Sequence, residues 1–197
     1  MISAEEIRYL QQQIARFDDQ QAYRLLFTAL YPYLFPFAKA LVRAKEPAEE
    51  VVSDVFIKVW EKRQDLCKIE NLKVYLYVAT RHVALNYLEK QRHTATNPLD
   101  HLQVSELISV YIDPEQLMIT ADMMQLLRKA IDRLPPKCRL IFKLVKEDGL
   151  KYREVAEVLN ISAKTVENQM TIALQKLGNA VNFDIKRSLP TSVRRLN

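Results

Sequence analysis

Along most of this chain, apolar residues recur at intervals of three and four, the spacing of one face of an α-helix. The clearest case is Tyr152 to Leu177, YREVAEVLNISAKTVENQMTIALQKL. Val155, Ala156 and Leu159 mark one helix, and Val166, Met170, Ala173, Leu174 and Leu177 mark a second. Asn160-Ile161-Ser162 separates them. Asparagine enters the left-handed region cheaply, so Asn160 is expected to turn the chain. The Ser162 hydroxyl is expected to cap the next helix. Ala156 is small enough for a close helix crossing, with Ile161 and Val166 filling the angle. The spacing predicts a helix-turn-helix whose second helix would enter a DNA major groove. That helix carries Lys164, Thr165, Asn168, Gln169, Thr171 and Lys176 as candidate DNA-contacting groups.

The same period organises the rest of the chain. Ser3, Glu5 and Glu6 open a helix over residues 3–20, with Ile7, Leu10 and Ile14 as its stripe. Residues 22–43 are strongly apolar and aromatic, and most of the aromatics read as core; Pro32 and Pro36 predict a kink or a restart. Pro47 and the carboxylates beside it suit a first helical turn. In the helix that follows, Val51, Val52, Val55, Phe56, Val59 and Trp60 share one face. The carboxylates Glu49, Glu50 and Asp54 lie largely elsewhere, as a docking surface for a basic partner helix requires and as a solvated face also provides. Residues 65–71, DLCKIEN, predict a loop. From Asn71 to about His93 a helix carries Leu72, Leu76, Ala79, Val83 and Leu88 as its stripe. Tyr75, Tyr77 and Tyr87 alternate there with Lys73, Arg81, His82, Asn86 and Lys90. Rings interleaved with cations suit single-stranded nucleic acid, and half-buried helix positions account for them equally well. Residues 94–116 lose the period and read as a linker. Leu117, Ala121, Met124, Leu127, Ile131 and Leu134 resume it until Pro135-Pro136. Cys138, Ile141, Phe142 and Val145 continue it to Gly149, a candidate left-handed cap.

With helical spacing throughout and only 2 glycines in 197 residues, the expected fold class is all-α: two small helical domains joined by a flexible linker. Charge then separates the halves. Up to Glu115 there are 14 Lys+Arg against 16 Asp+Glu, and beyond it 15 against 8. The basic surplus falls with the helix-turn-helix, where phosphate contact would need it. Cys67 and Cys138 are far apart and read as unpaired thiols of a cytoplasmic protein. Neither a secretory leader nor a membrane-spanning apolar run is evident. The spacings of His82, His93, His101 and Cys67 match no metal site. Without a phosphate-binding glycine loop or nucleophile motif, no cofactor is expected and an enzyme is disfavoured.

In combination, three stretches resemble bacterial RNA polymerase sigma factors of the sigma-70 family, extracytoplasmic-function group. AEEVVSDVFIKVWEKR resembles the region 2 helix that docks on the clamp helices of the polymerase largest subunit. VYLYVATRHVALNYLEKQRH resembles the helix that opens and reads the −10 promoter element. LPPKCRLIFKLVKEDGLKYREVAEVLNISAKTVENQMTIALQKL resembles region 4, which reads the −35 element. The resemblance implies region 2 over residues 1–93, a linker at 94–116, region 4 over 117–182 and a basic tail at 183–197. It places Glu49, Glu50, Asp54, Phe56 and Trp60 in the core-docking motif, with Phe56 and Trp60 also serving the core. It places Arg81, Asn86, Tyr87 and Lys90 on the −10 helix, and Lys164, Thr165, Asn168 and Gln169 on the −35 helix. The 65–71 segment matches the one that captures a flipped −10 base. His82 stands where the family often has Asn, and Glu89 where it often has a basic residue. The implied partners are core polymerase, promoter DNA and an anti-sigma protein, without membrane insertion. The rival reading is a helix-turn-helix regulator with an N-terminal effector or dimerisation domain.

Overall fold

A computed structural model describes residues 2–94 and 121–188. Among these the chain forms eight α-helices: α1 Ala4–Phe17, α2 Gln20–Val42, α3 Lys45–Glu61, α4 Leu72–Thr94, α5 Ala121–Asp132, α6 Pro136–Lys146, α7 Tyr152–Leu159 and α8 Ala163–Ser188. They fall into two compact units.

The first unit is built from α1 to α4. A capping box starts α1: Ser3 Oγ accepts from the Glu6 N–H at 3.1 Å, and Glu6 Oε2 accepts from the Ser3 N–H at 2.8 Å. Those hydrogen bonds hold the Glu6 carboxyl below its ordinary pKa. Asp18 in the left-handed region (φ 52°) ends α1, and Asp19 caps α2 through Gln21 and Ala22. α2 runs continuously through both prolines, so the helix does not restart at either. Pro32 and Pro36 withhold N–H groups from the carbonyls of Thr28 and Pro32, and both of those residues are exposed, so solvent can reach the freed carbonyls. α2 is also long and apolar enough to cross a membrane by length and composition, which the sequence reading did not expect. Its Leu26, Leu30, Leu34 and Phe37 are instead packed in the unit's core. α2 touches α1, α3 and α4 along its length.

Two further expectations change. The 65–71 loop is a 3-10 turn spanning Arg63–Lys68. Its Leu66 is buried, and its carbonyl, like that of Ile69, accepts from Gln11 Nε2 of α1, the Ile69 bond being 2.8 Å. The buried stripe of α4 is Leu72, Leu76, Tyr77, Thr80 and Ala84, with Val74 beside it. Ala79, Val83 and Leu88 are only half-buried. Tyr77 is therefore core, packed edge-on to Phe37 with centroids 5.2 Å apart, and not an exposed stacking ring.

In the second unit, α8 packs against both α5 and α6. Pro136 occupies the first turn of α6, where a missing N–H costs nothing. Gly149 supplies a left-handed residue (φ 68°) between α6 and α7. Under this turn lies a buried ion pair, Lys143 Nζ to Asp148 Oδ1 at 2.6 Å, with Glu147 Oε2 at 3.7 Å. α8 continues to Ser188, beyond the expected start of a tail at 183. The linker expected at 94–116 falls, but for Thr94, outside the described residues, as do 117–120 and the end of the tail.

Candidate functional site

The turn between α7 and α8 takes the form its residues demand. Asn160 is left-handed (φ 53°). Its N–H bonds the Glu157 carbonyl at 3.2 Å, and the Ile161 N–H bonds that of Ala156 at 3.0 Å. This is a Schellman closure with asparagine in the position glycine usually takes. Ser162 Oγ then accepts from the Thr165 N–H at 3.0 Å and starts α8. Val166, Met170, Ala173 and Leu177 turn inward and are buried, while Leu174, expected in the seam, is exposed. The Cys138 thiol donates to the Gln169 carbonyl at 3.3 Å, tying α6 to α8. Burial pushes the pKa of that thiol up.

The four predicted α8 site residues separate into two kinds. At about 100° per residue, Lys164 and Asn168 project opposite the buried stripe, and both are exposed. Lys164 Nζ pairs with Glu167 Oε2 at 3.0 Å. Thr165 and Gln169 lie to the side and are half-buried, and the Thr165 hydroxyl is engaged with Ser162 at 2.8 Å. The outward line continues through Thr171, Ile172 and Gln175, of which the sequence reading flagged only Thr171.

On the first unit, α3 and α4 enclose a groove of about 600 Å³ lined by Glu50, Asp54, Lys58, Asn86, Tyr87 and Lys90 among others. The structure thus brings two predicted docking carboxylates and three predicted −10 residues to one place. The Tyr87 hydroxyl accepts from Gln91 Nε2 at 2.7 Å. Arg81 does not join the groove; helical phase places it well round α4 from Asn86 and Lys90. The solvent side of α4 instead carries Tyr75 and His82.

The remaining residues predicted to dock sit elsewhere on α3. Glu49 faces α2, where the burial of Tyr31, and then the Glu49 charge, raises the pKa of the Tyr31 hydroxyl, with Lys45 opposing. Glu49 also pairs with Lys45 at 3.7 Å. Trp60 packs against Tyr23 with centroids 5.0 Å apart, under the Arg63 guanidinium 4.8 Å from its ring. Phe56 is 1% exposed, set edge-on to Phe27 and Tyr23 in the core of the unit. Ile57, absent from the predicted stripe, is 54% exposed on the outward line between the Glu50 and Glu49 edges. Sequence reasoning missed it because it falls outside the periodic apolar set of α3.

The 3-10 turn is held from two sides. Gln11 grips its backbone, and Arg63 pairs with Asp18 at the end of α1. Asp65 and Lys68 pair across the turn, which lowers the carboxyl pKa and raises that of the ammonium through the same hydrogen bond. Cys67 on this turn is exposed. Among the described residues no cluster of His, Cys, Asp and Glu has the arrangement of a metal site.

Two family models match the chain: "Sigma-70 region 2" over residues 26–94 and "Sigma-70, region 4" over 124–177. A similar curated protein is the ECF RNA polymerase sigma-E factor of Escherichia coli K12. It is 25% identical over 175 residues, covering 86% of this chain and 91% of that protein. The Salmonella typhimurium LT2 protein of the same name is likewise 25% identical over 175 residues. Among solved structures, CnrH in complex with the cytosolic domain of CnrY aligns over 91% of this chain and 99% of CnrH, with a TM-score of 0.53 at 19% identity. The sigma factor RpoE bound to the anti-sigma factor NepR from Bartonella quintana aligns over 83% of this chain and 99% of RpoE, at 0.52 and 23%.

Proposed function

The chain belongs to the sigma-70 family, and from that membership we propose how its surfaces divide the work of promoter use. It is a sigma factor of the extracytoplasmic-function group, which directs core RNA polymerase to specific promoters and assists their opening at initiation. Its part is binding and strand capture, without catalysis of its own, and its place of work is the polymerase's, the cytoplasm.

The observation that carries the division of labour is the presence, in one chain, of a helix-turn-helix (α7–α8) and an acid-rimmed α3. On our reading residues 1–93 dock on the polymerase and hold the −10 element, 94–116 span the interval, and 117–182 hold the −35 element, followed by a basic tail. Docking centres on Ile57, an apolar contact bordered by Glu49 on one side and Glu50 and Asp54 on the other. Apolar centres with a charged rim give association energy and orientation respectively. The partner surface is the clamp helices of the largest subunit. Trp60 and Phe56 hold α3 in place for that contact.

The −10 contacts fall on α4 and the 3-10 turn. Arg81, Asn86, Tyr87 and Lys90 take part from different sides of α4, so they meet different segments of the opened strands. Lys90 and Asn86 approach from the groove, and Arg81, with Tyr75 and His82 round the solvent side, approaches from beyond it. The grip of Gln11 on the turn supports its capture of a flipped base, since a fixed backbone loses less entropy on binding. At the −35 element Lys164 and Asn168 reach base edges, with Thr165 and Gln169 beside them toward the phosphates. An anti-sigma protein is a further proposed partner, supported by the two structural neighbours described in complex with such or similar chains. A helix-turn-helix regulator would leave the region 2 match over 26–94 without a role.

The test combines assembly and transcription. Full-length protein added to core polymerase should yield promoter-specific transcripts. Asp54→Lys and Ile57→Asp should each lower co-purification with core polymerase by at least about tenfold while leaving the helical content intact. Normal co-purification of both variants would reject the docking assignment. Tight sequence-specific duplex binding without polymerase would favour the regulator.

A further inference from the structure

We propose that Ile172 reads the 5-methyl group of a thymine in the −35 element. The inference rests on the reading of α8 as the −35 helix and goes beyond it by assigning a base and a chemical group. Ile172 is a large apolar side chain left 38% exposed on that helix. Its helical neighbours at three and four residues are Asn168, Gln169, Gln175 and Lys176, all polar. Among the described side chains of α8 the other exposed large apolar one, Leu174, lies about 160° round the helix from it, so the two form no common patch.

Single exposed apolar residues are ordinary on protein surfaces. This one stands about 60° from the line that Lys164 and Asn168 define opposite the buried stripe. On a surface that meets DNA, its neighbourhood becomes base edges. Among the groups those edges present in the major groove, donors and acceptors suit the polar residues, and the thymine methyl alone is apolar. An isoleucine matches it in polarity, and β-branching holds its χ1 in one well on a helix, so little entropy is lost on contact. The adjacent Thr171 hydroxyl already donates to the Glu167 carbonyl at 3.0 Å, so it is committed elsewhere.

The experiment uses holoenzyme assembled from the full chain and core polymerase. The probe is a promoter selected by that holoenzyme from a library randomised over the −35 region. Thymidines of the −35 region are replaced one at a time, on either strand, by deoxyuridine, which lacks only the methyl group. With the unaltered protein, open-complex formation should fall about fourfold at one thymine, the factor that burying one methyl group represents. Ile172→Ala should lose a similar factor on the thymine promoter and should no longer distinguish thymine from uracil there. Ile172→Val, which keeps the branched β-carbon, should recover part of the discrimination. The proposal is overturned if the unaltered holoenzyme is indifferent to every replacement, or if Ile172→Ala keeps the full thymine preference, while Lys164→Ala and Asn168→Ala still weaken −35 use. If those two variants also have no effect, the reading of α8 as the −35 helix fails, and the inference with it.

Discussion

Replacing Asp148 by asparagine should loosen the second unit and leave the first untouched. Asp148 is fully buried and Lys143 is 4% exposed, their charged atoms 2.6 Å apart. Asp148→Asn leaves an ammonium group in the interior with Glu147, at 3.7 Å, as the carboxylate beside it. Losing one partner of a buried pair costs about 3–5 kcal/mol. Glu147 moderates this, so about 3 kcal/mol is expected, or roughly 150-fold in an equilibrium constant. Amide hydrogen exchange by mass spectrometry resolves the two units. Exchange in α6, α7 and the first turns of α8 should accelerate by about that factor. The chain's one tryptophan, Trp60, lies in the first unit, and its fluorescence transition in denaturant should not move. A second substitution decides the cause. Lys143→Met combined with Asp148→Asn should be more stable than the sum of the two single effects predicts, by about 1–3 kcal/mol, because the unpaired ammonium is removed. The reasoning fails if Asp148→Asn changes protection by less than about threefold, or if the two substitutions are additive.

Two other outcomes follow from burial. Under native conditions a thiol reagent should label Cys67 at once and Cys138 only on unfolding, since Cys138 is enclosed, hydrogen-bonded to Gln169 and held protonated by its burial; equal rates, followed by peptide mapping, would contradict the α6–α8 packing. Phe56→Ala should lower the stability of the first unit by about 3–5 kcal/mol by Trp60 fluorescence, whereas Ile57→Asp should leave that transition unchanged; the reverse order would show that their burial has been misjudged.

The parts of this molecule legible in the sequence are those set by local chemistry. Asn160 and Ser162 specify a turn whose hydrogen bonds all lie within a few residues, and the same holds for the Ser3–Glu6 box and the left-handed Gly149. Apolar periodicity likewise gave the helices and the inward face of α8 except at Leu174. The candidate site was legible as a set of helices, and the side chains that face outward on them were less so.

What the tertiary structure decided concerns which face wins and what a charge is for. A periodicity of 3.6 tolerates two neighbouring stripes on α4, and Phe37 of α2 selected the one that buries Tyr77. Pro32 and Pro36 signal a break locally, yet the packing of α2 against three helices carries it past them. Nothing in the local pattern marks Lys143 and Asp148 as a buried pair; they become one when the α6–α7 turn brings them together. Ile57 and Ile172 become conspicuous only once the buried positions around them are known. The sequence by itself determined the capped starts of α1 and α8 and the turns at Asn160 and Gly149, because capping and turn energies are set within one or two turns of chain. Which side of each helix is left for a partner depended on long-range packing, whose energy exists only after distant segments meet.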